Sequence, residues 1–479
     1  MALPGSALSR RSVLLGAGAT ALAPILPRIG AAAVTERTQR EVKLAAAPGR
    51  VRLVPPPHPE TAVWGYNGAV PGPEIRVRQG ERLRVLVENG LDEGTTVHWH
   101  GVRLPNAMDG VPHLTQKPIG PGETFTYAFD VPDAGTYWYH PHQRSFEQVG
   151  RGLYGALIVE EREPVRVDRD VTWLLGDWRL LEDASISGDF GNRHDMSHAG
   201  RIGNTVTING QILERFPVRA GERIRLRLIN AATARIFGLE FQGHRPWVIA
   251  LDGQPVAPHE PQGGRVVLGP AMRADVVLDM AGEPGDRFTV ADTFYEGLEY
   301  RLVDLAYIDA PPLREHLLDA AIALPPNPLP EPDVSAAERH EIVFGGGMMG
   351  MMSSAMVGGE RMDMRAMMRR GLAWTVNGVS ATGHVHDPAV TLTRGRSYVF
   401  DLRNETAWWH PIHLHGHAFR VIARNGAPTR YREWQDTVLC APRERVEIAF
   451  VADNPGDWML HCHVLVHQAG GMMSTIRVA

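Results

Sequence analysis

Gly456-Asp457-Trp458-Met459-Leu460-His461-Cys462-His463, with His467 and Met472 following, is the stretch on which the fold reading turns. The pattern recurs earlier as Gly135-Thr136-Tyr137-Trp138-Tyr139-His140-Pro141-His142. Both copies read as a short apolar strand ending in His-x-His. In a strand, alternate side chains point to opposite faces. Cys462 therefore faces one way, and His461 and His463 face the other. A thiolate, imidazoles and a methionine thioether form the ligand set of a blue-copper electron-transfer site. Two further imidazoles on the opposite face place a second metal site one backbone step away.

Working outward, the repeat extends over the chain. Asn67-Gly68 leads to the strand pattern Glu81-Arg82-Leu83-Arg84-Val85, and Asn209-Gly210 leads to Glu222-Arg223-Ile224-Arg225-Leu226. Asn377-Gly378 leads to Arg396-Ser397-Tyr398-Val399-Phe400. Each unit is a turn followed by an alternating strand, and the units recur about every 150 residues, the size of a β-sandwich. High Gly and Pro counts (50 and 36) agree with a turn-rich, all-β chain. The predicted domains are 34–165, 166–310 and 334–479, with a Pro-rich linker at 311–333.

Aligning the copies sorts the histidines. The third has His410…His413-Leu414-His415-Gly416, the first Thr95…His98-Trp99-His100-Gly101, and the second Phe237…Glu240-Phe241-Gln242-Gly243. A cysteine-centred site is thus confined to the third unit. The His-x-His pairs of units one and three are expected to share a site, with unit two as a spacer and structural partner. Strand parity places His410 on the Cys462 side, and His413 and His415 on the side of His461 and His463. With 21 histidines in 479 residues, about one His-x-His pair is expected by chance; the chain has six. His384/His386 is assigned to chance, and His417 to a structural role.

Four motifs, HWHG, YHPH, HPIHLHGH and HCHVLVHQAGGMM, closely resemble those of the three-domain multicopper oxidases, which include laccases and bacterial copper-efflux oxidases. The resemblance spans nearly all of the chain after its leader. It implies three consecutive cupredoxin-like Greek-key β-sandwiches and four coppers. Type 1 copper would be held by His410, Cys462 and His467 with Met472 axial. Type 2 would take His98 and His413, and the type 3 pair His100, His140, His142, His415, His461 and His463. The implied reaction takes four electrons, one at a time, at type 1 copper and reduces O2 to two waters at the trinuclear cluster. Asp109 matches the family's proton-relaying carboxylate. A second family carboxylate is replaced by Gln468, which cannot titrate.

The donor is read as Cu(I), a phenol or aromatic amine, or both. Nine methionines crowd Met348–Met368, where copper-efflux oxidases carry a Met-rich insertion. Thioethers favour Cu(I). The competing reading packs Met362, Met364, Met367 and Met368 on an amphipathic helix, with Arg361, Arg365 and Arg369 on its outer side. Thr406 and Trp408 stand where the copper-efflux branch has Asp and Met, and Trp408 with Trp409 suits an apolar wall beside His410. A copper-sequestering protein without turnover is the alternative, and a copper nitrite reductase fits poorly.

Net charge −5 argues against nucleic acid as partner. The two cysteines build no disulfide framework, and Cys440 reads as a buried thiol. Ser9-Arg10-Arg11-Ser12-Val13-Leu14-Leu15, an apolar stretch and Ala31-Ala32-Ala33 resemble a twin-arginine signal over residues 1–33. The expected protein is periplasmic and monomeric, with no stable membrane insertion.

Overall fold

A computed structural model describes residues 39–318, 322–350, 352–383 and 387–479. The expected signal and the His384/His386 pair lie outside the described residues.

The three Asn-Gly turns are structurally equivalent. Asn67, Asn209 and Asn377 have φ of 55°, 51° and 51°, and the following glycines 74°, 75° and 75°. Two consecutive left-handed residues suit Asn-Gly, whose small groups tolerate that region. Each Asn side chain accepts an amide hydrogen bond from a neighbouring strand: Ala45 in the first copy, Leu174 in the second, Val343 in the third. The repeat is therefore one of chain geometry as well as residue pattern.

Each copy opens a two-sheet sandwich. In the first, Arg82–Asn89 lies in a four-stranded sheet and turns Leu83, Val85 and Val87 inward at period two. The facing sheet holds His98–His100 paired with Gly135–His140, so that His98 sits opposite His140. The second sandwich packs six strands on five. Its strand Arg223–Asn230 is buried on both faces: Ile224, Leu226 and Leu228 join its core, while Arg225 and Arg227 pair with Asp275, and Arg227 also with Asp170. Arg227 and Asp275 also bond Thr136 of the first sandwich. An alternation that suggests a solvent face instead makes a buried ionic seam.

The third sandwich carries the central feature. Its five-stranded sheet runs Val390–Leu392, Met473–Val478, Gly456–Cys462, His410–Leu414, Thr437–Cys440. Register sets Ile412 opposite Cys462 and His413 opposite His461. The short helix Leu465–Ala469 and the turn after it return the chain, and the Met472 carbonyl accepts the Cys462 amide at 3.1 Å.

The Met-rich segment departs from a single helix. Among its described residues, only Met364–Arg369 is helical; Met362 and Arg361 lie on the strand Glu360–Asp363, paired with Ser354–Val357. Met362 and Met367 are buried in a small core with Ala355, Val357 and Leu372, against which Met352 and Met364 pack. Met348 and Met349 remain exposed, at 48% and 67%.

Candidate metal centre

Two clusters of bare ring nitrogens form, one on each side of the Gly456–Cys462 strand end. On the cysteine side, His410 Nδ1 is 3.4 Å from Cys462 Sγ, His467 Nδ1 is 3.8 Å from it, and the two Nδ1 atoms are 3.2 Å apart. The outer nitrogens decide the tautomers. His467 Nε2–H donates to the His198 carbonyl at 2.8 Å. His410 Nε2–H donates to the Thr406 hydroxyl at 2.8 Å, and that hydroxyl donates onward to Asn404 at 2.7 Å. Both Nδ1 atoms thus present lone pairs to the thiol. Burial holds His410 well below 6.5 and pushes His467 down to about 3, so both rings are neutral. Burial likewise raises the Cys462 thiol, and the Val464 amide donates to its sulfur at 3.4 Å.

Met472 is fully buried in the same core. Of the expected wall, Trp408 packs against this core, and Trp374 adds to it. Trp374 packs on His467 at 4.3 Å and on His410 at 5.0 Å, whereas Trp409 leans on Phe294 of the second sandwich. At the matching place in the first sandwich, Thr95 bonds Gln148 and Phe146 packs into apolar surroundings.

On the opposite side, the histidines of the first and third sandwiches interleave. His100 stacks on His413 at 3.8 Å, and His98 lies against His415 at 4.0 Å. Their outer nitrogens are again committed. Nδ1–H of His98, His413 and His461 donates to the carbonyls of Asp109 (2.7 Å), Asp436 (2.8 Å) and Cys462 (2.9 Å). His140 Nδ1–H donates to the Pro141 carbonyl, and His415 Nδ1–H to the Asp109 carboxylate at 2.9 Å. His100 is turned round, with Nε2–H donating to Asp436 at 3.1 Å. The inward nitrogens of His98, His100, His142 and His413 are buried without a partner.

Inner ring nitrogens also face one another. His415 Nε2 stands 3.1 Å from His461 Nε2, and His463 Nε2 stands 3.4 Å from His140 Nε2. The first contact joins two rings whose protons are spent elsewhere, and it is repulsive until a cation lies against both. Burial, with the neighbouring imidazoles second, holds His100, His140, His142, His415, His461 and His463 well below 6.5, as metal ligation requires. His98, His413 and His415 bring ligand atoms within 4.8 Å of one another, as do His98, His100 and His140, and His142, His415 and His461. These sets fit metal binding. His417 joins none of them; it donates to the His415 carbonyl and packs on Phe450 and Trp458.

The second sandwich acts as a structural partner of the site. Buried Arg273 grips Asp436 with two hydrogen bonds (2.8 and 2.6 Å) and donates to the Thr136 carbonyl at 3.1 Å. Asp252 accepts the amides of Arg273, Asp436 and Thr437. Burial, then the Asp436 charge, raises the Asp252 carboxyl to about 7. Gly101 has φ +83°, and a Cβ there would collide with the Asp436 carboxylate and the Arg273 guanidinium. Sequence reasoning missed Asp436, Arg273, Thr406, Trp374 and the His198 carbonyl. A lone Asp just before the apolar strand Thr437–Cys440 was the available signal for Asp436.

A cavity of about 240 Å³ reaches His142 from outside, lined also by Val111, Ser145, Met459 and Gln468. Gln468 accepts from Ser145 at 3.2 Å. Among the described residues, no helix is long and apolar enough to cross a membrane.

Comparison with known proteins agrees with this geometry. Residues 50–164, 169–303 and 359–479 each match a multicopper oxidase family model. The multicopper oxidase MmcO of Mycobacterium tuberculosis is 33% identical over 456 residues, covering 87% of this chain and 83% of the relative. The crystal structure of a multi-copper oxidase from Pseudomonas thermotolerans superposes with TM-score 0.80 at 36% identity, over 92% of this chain and all of that one. A Campylobacter jejuni structure described as a metallo-oxidase gives 0.76 at 28% identity, over 93% and 92%. With copper-type ligand clusters on both faces of one strand and three matching domains, the chain belongs to the multicopper oxidase family.

Proposed function

We propose that this oxidase takes single electrons from Cu(I) or small aromatic donors at the Cys462 site and reduces O2 to water at the histidine cluster. The facing, tautomer-fixed nitrogens on the two sides of Cys462 carry this reading. His410, Cys462, His467 and Met472 would hold one copper. His98 and His413 would hold a second, and His100, His140, His142, His415, His461 and His463 a pair, making four. Bound copper supplies the one-electron redox chemistry by which four electrons and four protons convert one O2 to two waters.

The chain's own residues supply the rest. Cys462 offers a covalent path of one residue to His461 and to His463. Thr406 and the His198 carbonyl keep both Nδ1 atoms of the cysteine site free for metal. Asp109 orients His98 and His415, lying 3.2 and 2.9 Å from their Nδ1 atoms. We also assign it proton delivery, with water from the cavity at His142, because Gln468 cannot titrate. The buried cluster excludes bulk water from the reacting centre.

The domains are assigned to 34–165, 166–310 and 334–479, and the Ser9–Leu15 motif supports twin-arginine export to the periplasm and a place in copper homeostasis. The decisive experiment is copper quantification with O2 uptake on Cu(I) and on a phenol. We expect about four coppers per chain, absorption near about 600 nm and turnover. A colourless, copper-loaded, inactive protein would establish sequestration instead.

A further inference from the structure

A cleft between the second and third sandwiches plays no part in the electron path. Its volume is about 810 Å³, within the range of small-molecule sites (about 300–1,000 Å³). Val248, Val266, Met272 and Leu439 form an apolar wall, and Trp409, 37% exposed, adds an aromatic face. A second lobe of about 520 Å³ shares His259 and Glu433 with it, and there His259 stacks on Tyr431 at 4.0 Å. Neither lobe is lined by a residue of the two histidine clusters, nor by His198 or Trp408. The cleft is therefore a separate feature of the domain junction.

Its polar groups divide by sign. The arginines of the larger lobe are already engaged: Arg265 donates to the Thr293 carbonyl at 2.9 Å, and Arg424 to the Leu439 carbonyl at 3.1 Å and to Glu444 at 3.0 Å. Among the described residues, the carboxylates of Glu240 and Glu433 have no hydrogen-bond or ion-pair partner. Gln435 adds a third acceptor. On the strand Trp434–Gln435, alternation turns Trp434 under the Arg420 guanidinium at 4.3 Å and Gln435 to the other face, along the cleft. Gln435 is only 4% exposed, and its Oε1 is buried without a partner. Such an oxygen is destabilising until a donor reaches it. Glu433, two residues earlier, lines the same lobe. In the outer lobe, Arg430 rests on the Tyr431 ring at 5.2 Å, which confines the negative field to the larger lobe. We propose that the larger lobe is a binding site for an alkyl diamine. One ammonium meets the Glu433 carboxylate and the Gln435 oxygen, the other meets Glu240, and the methylenes lie on the apolar wall. Trp409 favours the same charge through its ring face. Because Gln435 precedes Asp436, whose carboxylate holds His100, an occupant would also brace the segment that supports the histidine cluster.

The test uses the copper-loaded protein with 1,4-diaminobutane as probe. Titration calorimetry should show a single site per chain whose affinity falls as salt rises, and the diamine should raise Tm. Glu433→Gln should weaken binding at least about tenfold. Gln435→Leu should weaken it by a similar factor, yet raise the Tm of the ligand-free protein, because the unpaired oxygen is gone. A glutamine with a purely structural role would lower that Tm instead. Butylamine, with one ammonium, should bind more weakly than the diamine, and succinate should not bind. Blue absorption and copper content at wild-type strength certify that each variant is folded. Wild-type diamine affinity in both variants, a preference for succinate, or no saturable binding up to about 10 mM would overturn the proposal.

Discussion

Replacing Arg273 by Met would strip a buried carboxylate of its counter-ion at the point where three sandwiches meet. Asp436 Oδ1 keeps His100 and Thr437 as partners, but Oδ2 has only the Arg273 guanidinium. Burial pushes the Asp436 carboxyl up, and Arg273 together with His413 more than offsets this, holding it below the usual carboxylate range. Removing one partner of such a pair costs about 3–5 kcal/mol, and the lost bond to the Thr136 carbonyl adds about 1 kcal/mol. The expected loss is about 4–6 kcal/mol, measured by urea unfolding of the copper-free protein with tryptophan fluorescence. Asp436→Asn in the same background should recover part of it, because the uncompensated charge is gone. Copper content should fall in Arg273→Met through misorientation of His100 and His413, while the blue absorption persists. Unfolding within about 1 kcal/mol of wild type, with full copper loading, would refute the argument.

Cys462→Ser should abolish the blue absorption and donor oxidation while most of the remaining copper stays bound; loss of all copper by elemental analysis would contradict two separable centres. Thr406→Val removes the acceptor for His410 Nε2–H with little change of shape, and should cost about 1–3 kcal/mol in the copper-free protein and shift the type 1 reduction potential. The copper-free protein should also be acid-labile. Buried His410, His415 and His467 titrate below 6.5 in the native state, down to about 3 for His467, so the unfolded chain binds more protons there. Stability is full above about pH 6.5 and is lost as pH falls toward the native values, by about 1.4 kcal/mol per pH unit for each excess proton. A flat stability profile between about pH 6.5 and 5 would contradict the neutral-imidazole assignment.

Strand parity was enough to divide the ligands, because His413 and His461 are register partners and side-chain direction follows from position alone. The repeat was legible for a similar reason: Asn-Gly turns announce themselves locally. The supporting residues carry no such local mark. Arg273 and Asp436 are 163 residues apart, and His198 and His467 are 269 apart. The absence of ligands in the second copy marks it as a structural partner, but does not reveal that it supplies a guanidinium, a carboxylate and a carbonyl to the two sites. The methionines misled in the other direction. Composition grouped nine of them, but packing separates Met362 and Met367 from exposed Met348 and Met349.

The carbonyl of His198 has a consequence for the order of maturation. A third sandwich emerging alone already carries His410, Cys462 and His467, yet nothing then keeps the His467 proton on Nε2. Until the second sandwich docks, the ring is free to carry its proton on Nδ1, the nitrogen that must face the metal. Docking of the second sandwich thus selects the tautomer that presents Nδ1 to the metal, so the cysteine site is pre-organised only in the assembled chain.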